Sequence, residues 1–208
     1  MKTLTKFLLT YVFFSGFVFA IEFGKIDSTM QTNINTALHI LQKLQKTTQN
    51  LQQDKANIEQ AANEIFKLFD PIFDYNLMGQ LALSQHSKTL TKEQIQSFHQ
   101  AFEENLKRSF TDKLKLYKDE NMQVIGGEKP RDNRYNLKTS IILDGKLNSI
   151  VFKFYENNAK DWKIYDVDIL GISVIQTYRS QIDDLFTKSD FQTLLKTLHN
   201  EDTFQTKQ

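Results

Sequence analysis

The stretch that decides the fold is Asp161–Ile182, DWKIYDVDILGISVIQTYRSQI. Its first half alternates apolar and polar residues, which predicts a strand, and Gly171 then marks a corner. Ser173 is followed three residues later by glutamine, the spacing of a helix N-terminal capping box. The stretch therefore predicts a final strand, a tight corner, and a helix whose apolar face carries Ile172, Ile175, Tyr178 and Ile182.

The first twenty residues have the pattern of a secretory signal peptide. Lys2 and Lys6 precede the apolar segment Phe7–Phe19, and Val-Phe-Ala then forms a small-residue cleavage site. The apolar segment is short for a membrane-spanning helix, although an uncleaved anchor is the alternative interpretation. We predict an exported protein, with residues 1–20 as signal peptide and residues 21–208 as a single domain.

The composition excludes several classes of protein. The chain has no cysteine, which rules out a disulfide scaffold, thiol chemistry and a lipid-modified leader. The formal net charge is +1 over 208 residues, and loss of the two leader lysines changes it to about −1. A chain so close to neutral has no global basic field for nucleic acid.

Apolar residues at helical spacing predict helices on both sides of a central β region. Serine or threonine followed three residues later by glutamine occurs at Ser28, Thr91, Ser173 and Ser189. A further helix is predicted from Asp54 to the break at Asp70-Pro71, because the residue before proline avoids the helical conformation. Asp74 is predicted to cap a short helix after that break.

Asp144-Gly145 predicts a two-residue hairpin turn, and the turn sets the register of the sheet. Leu143 then faces Lys146, and the pairs that follow are Thr139 with Ile150, Leu137 with Phe152, and Tyr135 with Phe154. A short strand at 122–125, ended by Gly126-Gly127 and Pro130, precedes the hairpin, and a strand at 162–169 follows it. The prediction is an α+β fold with a four-stranded antiparallel sheet and helices packed on its apolar face.

The last strand is predicted to divide its residues between the two faces of the sheet. Alternation places Tyr165, Val167 and Ile169 on the apolar face. Asp166 and Asp168 then lie on the polar face, near Lys153.

No reactive constellation emerges from the sequence, and we predict neither an enzyme nor a metal or cofactor site. The four histidines have no metal-ligand spacing, and His39 and His99 are interpreted as solvated. Nucleophile-elbow and phosphate-loop patterns are missing. The acidic pairs lack any sign of the cleft that acid–base catalysis requires; these pairs are Asp70 with Asp74, Asp166 with Asp168, and Asp183 with Asp184.

Many large apolar side chains converge on the space between the predicted helices and sheet. The chain contains 17 phenylalanines. A solid core is one interpretation, because burying such a face is what folds a domain. Rigid rings interdigitate less readily than mixed aliphatic side chains, so a cavity for an apolar ligand is the other.

Three segments have a shared family pattern: Phe73–Met78 (FDYNLM), Leu90–Phe102 beginning LTKEQ, and Trp162–Arg179 with the order Asp-Val, Gly-x-Ser, Tyr-Arg. They resemble the MlaC family, also called the toluene tolerance family, of periplasmic phospholipid-binding proteins. The chain departs from the family pattern at Gln80, at Leu83-Ser84 where the family tends to have Leu-Gly, at His86-Ser87, and at Phe110.

The resemblance implies a soluble monomeric carrier in the periplasm that uses no catalysis and no cofactor. Its implied partners are phospholipid, an inner-membrane Mla ABC transporter complex and an outer-membrane Mla lipoprotein complex, and its implied role is to maintain outer-membrane lipid asymmetry. The implied acyl-chain pocket lies between sheet and helices. Its predicted lining is Phe69, Phe73, Leu77, Phe98, Phe102, Leu106, Phe110, Tyr135, Leu137, Ile150, Phe152, Phe154, Tyr165, Val167, Ile169, Val174 and Tyr178.

Alternatives remain open from the sequence. The first is a periplasmic interaction or chaperone-like module with a filled core, and a hydrolase on a similar scaffold is a more distant one. Arg179 also has two interpretations. It could bind a lipid phosphate at the pocket mouth, or, as we prefer, pair with Asp166 or Asp168 and fix the corner at Gly171.

Overall fold

The computed structural model describes residues 21–47, 54–118, 120–143 and 145–200. The predicted signal peptide, residues 1–20, lies outside the described residues, as does Asp144 of the predicted hairpin turn. Within the described ranges, no helix has both the length and the apolar content that crossing a bilayer requires.

Six α-helices and five strands make up the fold in the described part of the chain. The helices are α1 (Ile26–Thr47), α2 (Lys55–Phe69), α3 (Tyr75–Leu83), α4 (Lys92–Leu114), α5 (Val174–Lys188) and α6 (Phe191–His199). The strands are β1 (Met122–Arg131), β2 (Arg134–Leu143), β3 (Lys146–Glu156), β4 (Trp162–Ile169) and β5 (Ile172–Ser173). They form one antiparallel sheet in the order β1-β2-β3-β4-β5. The predicted α+β class is confirmed, with a fifth strand where four were predicted.

The predicted hairpin register between β2 and β3 is confirmed at every pair. Leu143 faces Lys146, Thr139 faces Ile150, Leu137 faces Phe152 and Tyr135 faces Phe154. We call the side of the sheet that carries Leu137, Phe152 and Phe154 the inner face, because these side chains are buried beneath the helices. The opposite side, with Lys138 and Lys153, is the outer face.

Two bulges change what the alternation predicted. β1 does not end near residue 125 but continues to Arg131. A register shift between Val124 and Gly126 leaves Ile125 without a partner on β2, and Gly126 and Gly127 then pair with β2. Gly126 has φ 99°, a conformation that favours glycine. In β4 a second shift places Ile164 opposite Phe154, so that Tyr165 is pushed to the outer face. The prediction that Tyr165 faces inward is wrong.

Most of the predicted helix caps are confirmed. The side chains of Asp74, Thr91 and Ser173 each accept a hydrogen bond from the backbone N–H three residues on, and Asp54, predicted as a helix start, caps α2 in the same way. Two caps were predicted wrongly. α1 begins at Ile26, so Ser28 lies within it, and Asp190 rather than Ser189 caps α6. The predicted helical position of Ile172 is also wrong, since this residue lies in β5 and is 57% exposed.

The main core lies between the inner face and the helices. α1 packs on β1, while α3 and α5 pack on β4. α4 is placed farther out, against α2, α3 and α6, yet its Phe98 and Phe102 reach the main core. A second, smaller core lies between α1 and α2, around Ile58 and Ile65.

The corner from β4 to α5 is organised by the carboxylate of Asp166, which is 5% exposed. Asp166 accepts hydrogen bonds from Ser173 Oγ at 2.7 Å and from the backbone nitrogens of Val167 and Ile175 at 2.9 and 3.1 Å. Lys153 Nζ lies 3.1 Å from Asp166 and 2.6 Å from Asp168, which confirms the predicted outer-face contact. Burial would lower the pKa of Lys153, but its hydrogen bonds to the two carboxylates raise it.

We expect Asp166→Ala to lower the free energy of unfolding by about 3 kcal/mol, because it leaves the Ser173 hydroxyl and two backbone donors without their acceptor and removes one of the two carboxylates that pair with Lys153. Denaturant unfolding followed by circular dichroism measures the change. Asp184→Ala, at an exposed position on α5, is the control and should change stability by less than about 0.5 kcal/mol. Equal effects of the two substitutions would contradict the organising role of Asp166.

Ser84 ends α3 with φ 49° and ψ −124°, a conformation that is strained for any residue with a Cβ. We expect Ser84→Gly to raise the free energy of unfolding by about 1 kcal/mol. The matched control is Ser180→Gly at an exposed position within α5, which should lower it by about 0.5 kcal/mol. Thermal and denaturant unfolding of both variants decide the point, and a loss of stability in Ser84→Gly would rule the strain out.

Candidate functional site

Most of the predicted lining residues belong to one apolar layer between the inner face and the helices. Nine of them are buried members of this layer: Phe98, Phe102, Tyr135, Leu137, Phe152, Phe154, Val167, Val174 and Tyr178. Four more are half-buried and pack against its edge: Phe69, Phe73, Leu106 and Ile150.

Four predicted lining residues lie elsewhere. Leu77 is half-buried on α3 outside the layer. Phe110 is 38% exposed, and its ring lies 5.6 Å from that of Phe66. Tyr165, on the outer face, packs edge-on against Tyr155 and lies beneath the guanidinium of Arg134. Ile169 is on the inner face as predicted, but it lies at the margin of the layer and is 38% exposed.

Sequence reasoning missed other members of the layer. Ile164 is fully buried there because of the β4 bulge, for which the sequence gives no signal. Met78 and Leu83 of α3 are fully buried as well, and Met78 could have been identified by its spacing of four from the buried Ala82.

The layer is closed at its centre and loosens toward one end of the sheet. Along β3, exposure rises from 0% at Phe154 to 9% at Phe152, and Ile150 is only half-buried. Along β4 it rises from 9% at Val167 to 38% at Ile169, which pairs with Ile150. This open end, defined by Ile150, Ile169 and the half-buried Met122 of β1, lies toward the β2–β3 turn.

α1 runs toward the same end of the sheet. Its Asp27 accepts a hydrogen bond from Tyr135, and four residues on its Gln31 accepts one from the backbone of Val124, which faces Thr139. Two turns farther along the helix, Leu38 is only half-buried against the layer. Helix and sheet therefore both present partly exposed apolar side chains at the open end.

Polar groups within the layer are satisfied by the protein itself. Thr139 Oγ1 donates to the carbonyl of Ile150 at 2.9 Å. The Tyr178 hydroxyl donates to Asn105 Oδ1 at 2.7 Å, and the Asn105 amide in turn donates to the carbonyl of Leu198 at 2.6 Å. Burial raises the pKa of Tyr178, so this hydroxyl stays protonated. An apolar ligand could lie beside these groups without removing a hydrogen bond.

A separate depression of about 370 Å³ lies between α3 and α4 and is largely polar. Its lining includes Asn76, Lys92, His99 and Glu103, and none of the predicted lining residues contributes to it. His99, predicted to be solvated, is partly exposed at the edge of this depression. Its ring packs so closely on Gly79 that a Cβ there would lie 2.9 Å from it, and burial lowers the pKa of His99 while Asp74 opposes the shift.

Members of the acidic pairs hold elements together. Asp70 accepts hydrogen bonds from Tyr75 and Lys107. Asp74 caps α3 and accepts the hydroxyl of Tyr155, and Asp183 lies 2.6 Å from His86.

The profile of the family described as MlaC protein matches residues 39–200. The chain belongs to the MlaC family. One curated relative is the intermembrane phospholipid transport system binding protein MlaC of Haemophilus influenzae, which is 22% identical over 162 residues, or 74% of this chain and 76% of the relative.

A solved structure shares the MlaC-family fold. It is a phospholipid-binding protein from Ralstonia solanacearum in complex with a phospholipid, and it matches with a TM-score of 0.66 and 19% sequence identity. The match covers 83% of this chain and 94% of that one. At 19% identity this likeness establishes only that the two proteins share a fold. In this chain, the sheet and helices of that fold enclose the apolar layer.

In this MlaC-family chain, Arg179 has a partner that neither interpretation of the sequence proposed. Its Nε and Nη2 donate to the carbonyl of Leu81 at 3.1 and 2.7 Å, near the end of α3. The predicted ion pair with Asp166 or Asp168 is wrong, because both carboxylates pair with Lys153. Arg179 therefore fastens α5 to α3.

We expect Arg179→Ala to lower the free energy of unfolding by about 2 kcal/mol, because the buried carbonyl loses both charged donors. Any phospholipid bound by the wild-type protein should be retained by the variant in the same molar ratio. Thermal unfolding and lipid extraction followed by mass spectrometry measure the two effects. Loss of lipid without loss of stability would instead favour a contact between Arg179 and the lipid phosphate.

Proposed function

We propose that this protein is an exported phospholipid carrier that holds acyl chains between its sheet and its helices and performs no catalysis. The observation that carries the proposal is the apolar layer, whose side chains become more exposed toward Ile150 and Ile169. Membership of the MlaC family and the fold shared with a phospholipid-bound structure support it.

The wider role follows from the family and from the leader. The pattern of residues 1–20 supports export, and together with the family it supports a periplasmic location for the mature protein. There it passes phospholipid between an inner-membrane Mla ABC transporter complex and an outer-membrane Mla lipoprotein complex, and so maintains the lipid asymmetry of the outer membrane. The name of the Haemophilus influenzae relative, an intermembrane phospholipid transport binding protein, supports this assignment.

Physical chemistry explains why such a carrier needs apolar surface rather than reactive groups. Moving two acyl chains of about fifteen methylenes each from a bilayer into water costs roughly 24 kcal/mol of free energy, at about 0.8 kcal/mol per methylene. A carrier must therefore offer surroundings about as apolar as the bilayer. It must not be much better, because it would then retain its cargo.

For a lipid to enter, the side chains of the apolar layer must move apart, because Phe98, Phe102 and Phe154 have no exposed surface. Parting costs least where the side chains are already half-exposed, because less apolar burial is lost there. We place acyl-chain access at the open end, where Ile150 and Ile169 form a pair on the inner face. The closed centre also fits a second candidate, an interaction or chaperone-like module with a permanently filled core.

Lipid analysis separates the two candidates. Protein exported from a bacterial host, purified without detergent and examined by native mass spectrometry should contain about one phospholipid per chain. If the protein is empty and cannot be loaded from phosphatidylglycerol and phosphatidylethanolamine vesicles, the carrier function is excluded and the filled core is favoured.

We expect Ile150→Trp to reduce bound phospholipid to a substoichiometric amount, because the indole fills the open end of the layer. The matched control is Leu147→Trp on the same strand, where the side chain is 75% exposed and faces outward opposite Ile142. The control should retain wild-type lipid content. Equal retention in both variants, at equal thermal stability, would contradict the proposed access route.

A further inference from the structure

The backbone nitrogen of Ile21 is held by a buried carboxylate. It lies 2.7 Å from Asp161 Oδ1, and the two residues are 6% and 5% exposed. The Ile21 carbonyl accepts a hydrogen bond from the backbone of Trp162 at 3.1 Å. Two consecutive residues at the start of β4 thus fix both polar backbone groups of this one residue.

Ile21 is also the residue that follows the predicted cleavage site. We propose that removal of residues 1–20 completes the fold, because the α-amino group that cleavage frees on Ile21 forms an ion pair with Asp161. This inference rests on the proposed export and processing of the chain, but it does not depend on lipid carriage.

The covalent step is a peptide hydrolysis that consumes one water molecule and needs a signal peptidase. The C–N bond between Ala20 and Ile21 breaks, and the water oxygen remains on the new carboxylate of Ala20. The nitrogen leaves with Ile21 and, at neutral pH, carries a positive charge as an ammonium group. A neutral amide donor to Asp161 is thereby replaced by a cationic one.

The position of Asp161 is fixed before any cleavage. Its backbone N–H donates to Asn157 Oδ1 at 3.0 Å, and its carbonyl accepts from the Asn157 backbone at 2.9 Å. Its second carboxylate oxygen lies 2.7 Å from Lys163 Nζ, which also donates to the carbonyl of Pro71 at 2.6 Å. Oδ1 therefore faces Ile21 while Oδ2 faces Lys163, so the new ammonium group would not displace an existing partner.

Glu22 and Lys160 adjoin Ile21 and Asp161 in sequence, and both are exposed. Lys163 is the neighbouring cation on β4, and Lys129 of β1 lies over the ring of Trp162 at 5.8 Å. Tyr155 of β3 also senses the charge of Asp161. Lys163 and Lys129 oppose a further cation, but neither lies between Ile21 N and Asp161 Oδ1, and a direct charged hydrogen bond outweighs the more distant repulsion.

The test begins with the full chain, including its leader, exported from a bacterial host. Intact mass should show a mature protein that begins at Ile21. A variant with one threonine inserted between Ala20 and Ile21 should be cleaved after Ala20, which leaves the Ile21 nitrogen as a neutral amide and moves the charge about 3.8 Å away. A wild-type mature chain that begins at any other residue overturns the inference.

A double-mutant cycle then measures the ion pair. The insertion should raise the unfolding equilibrium constant about tenfold at pH 6.5, because a charged hydrogen bond becomes a neutral one. In an Asp161→Asn background the same insertion should change it by less than about twofold. Lys163→Gln serves as the control background, where the roughly tenfold effect should persist. An insertion effect of the same size with and without the Asp161 carboxylate overturns the inference.

If Asp161→Asn cannot be recovered folded, the pH profile of wild type against the insertion variant decides. A free α-amino group has a pKa of about 7.7 to 8.0, and contact with the carboxylate raises that of folded Ile21. The wild-type advantage should therefore be complete below about pH 8 and disappear as pH rises through the raised pKa. An advantage that is constant from pH 6 to pH 11 overturns the inference, whatever the lipid content of the protein.

Discussion

The contact on which the arrangement of sheet and helices depends is the cluster of donors around Asp166. This buried carboxylate receives the Ser173 hydroxyl, two backbone nitrogens and the ammonium of Lys153. Apolar surfaces can slide past one another at small cost, whereas a buried charge with four donors has one satisfactory geometry. The position of α5 over the inner face, with Ile175 and Tyr178 buried beneath it, follows from this geometry.

β4 is consequently the strand that organises both ends of the molecule. Near its start, the backbone N–H of Trp162 donates to the Ile21 carbonyl. The carbonyl of Ile164 accepts a hydrogen bond from the backbone N–H of Asp74, just before α3. Near its end, Asp166 anchors α5. Arg179 then joins α5 to α3 through the carbonyl of Leu81. Helices that are distant in sequence are thus held against the same strand by polar contacts at its margins, while the apolar layer fills the space between them.

The same arrangement bears on the reversible lipid binding that we propose. The polar anchors lie on β4, α3 and α5, and the Asp166 corner adjoins Ile169, because Asp168 pairs with Ser173 and Ile169 pairs with Ile172. Local opening costs least where few buried apolar contacts have to be broken. In the proposed carrier, the layer would open at the half-buried Ile150 and Met122 while the polar contacts of Asp166 and Arg179 hold the helices in place.

Local sequence signals determined a large part of this protein. Hydrophobic periodicity and the turn at Gly145 set the hairpin register, and side-chain caps such as Asp74 and Thr91 set helix starts, because each depends on residues a few positions apart. Most of the residues that the family resemblance predicted as pocket lining lie in or against the apolar layer, but the layer has many more members than were predicted. Only the tertiary structure decided that Tyr165 turns outward, that Arg179 binds Leu81, and that Asp161 meets Ile21. The position of a bulge depends on pairing with the neighbouring strand. The partner of a polar side chain depends on which distant elements pack beside it. Neither can be read from a local sequence pattern.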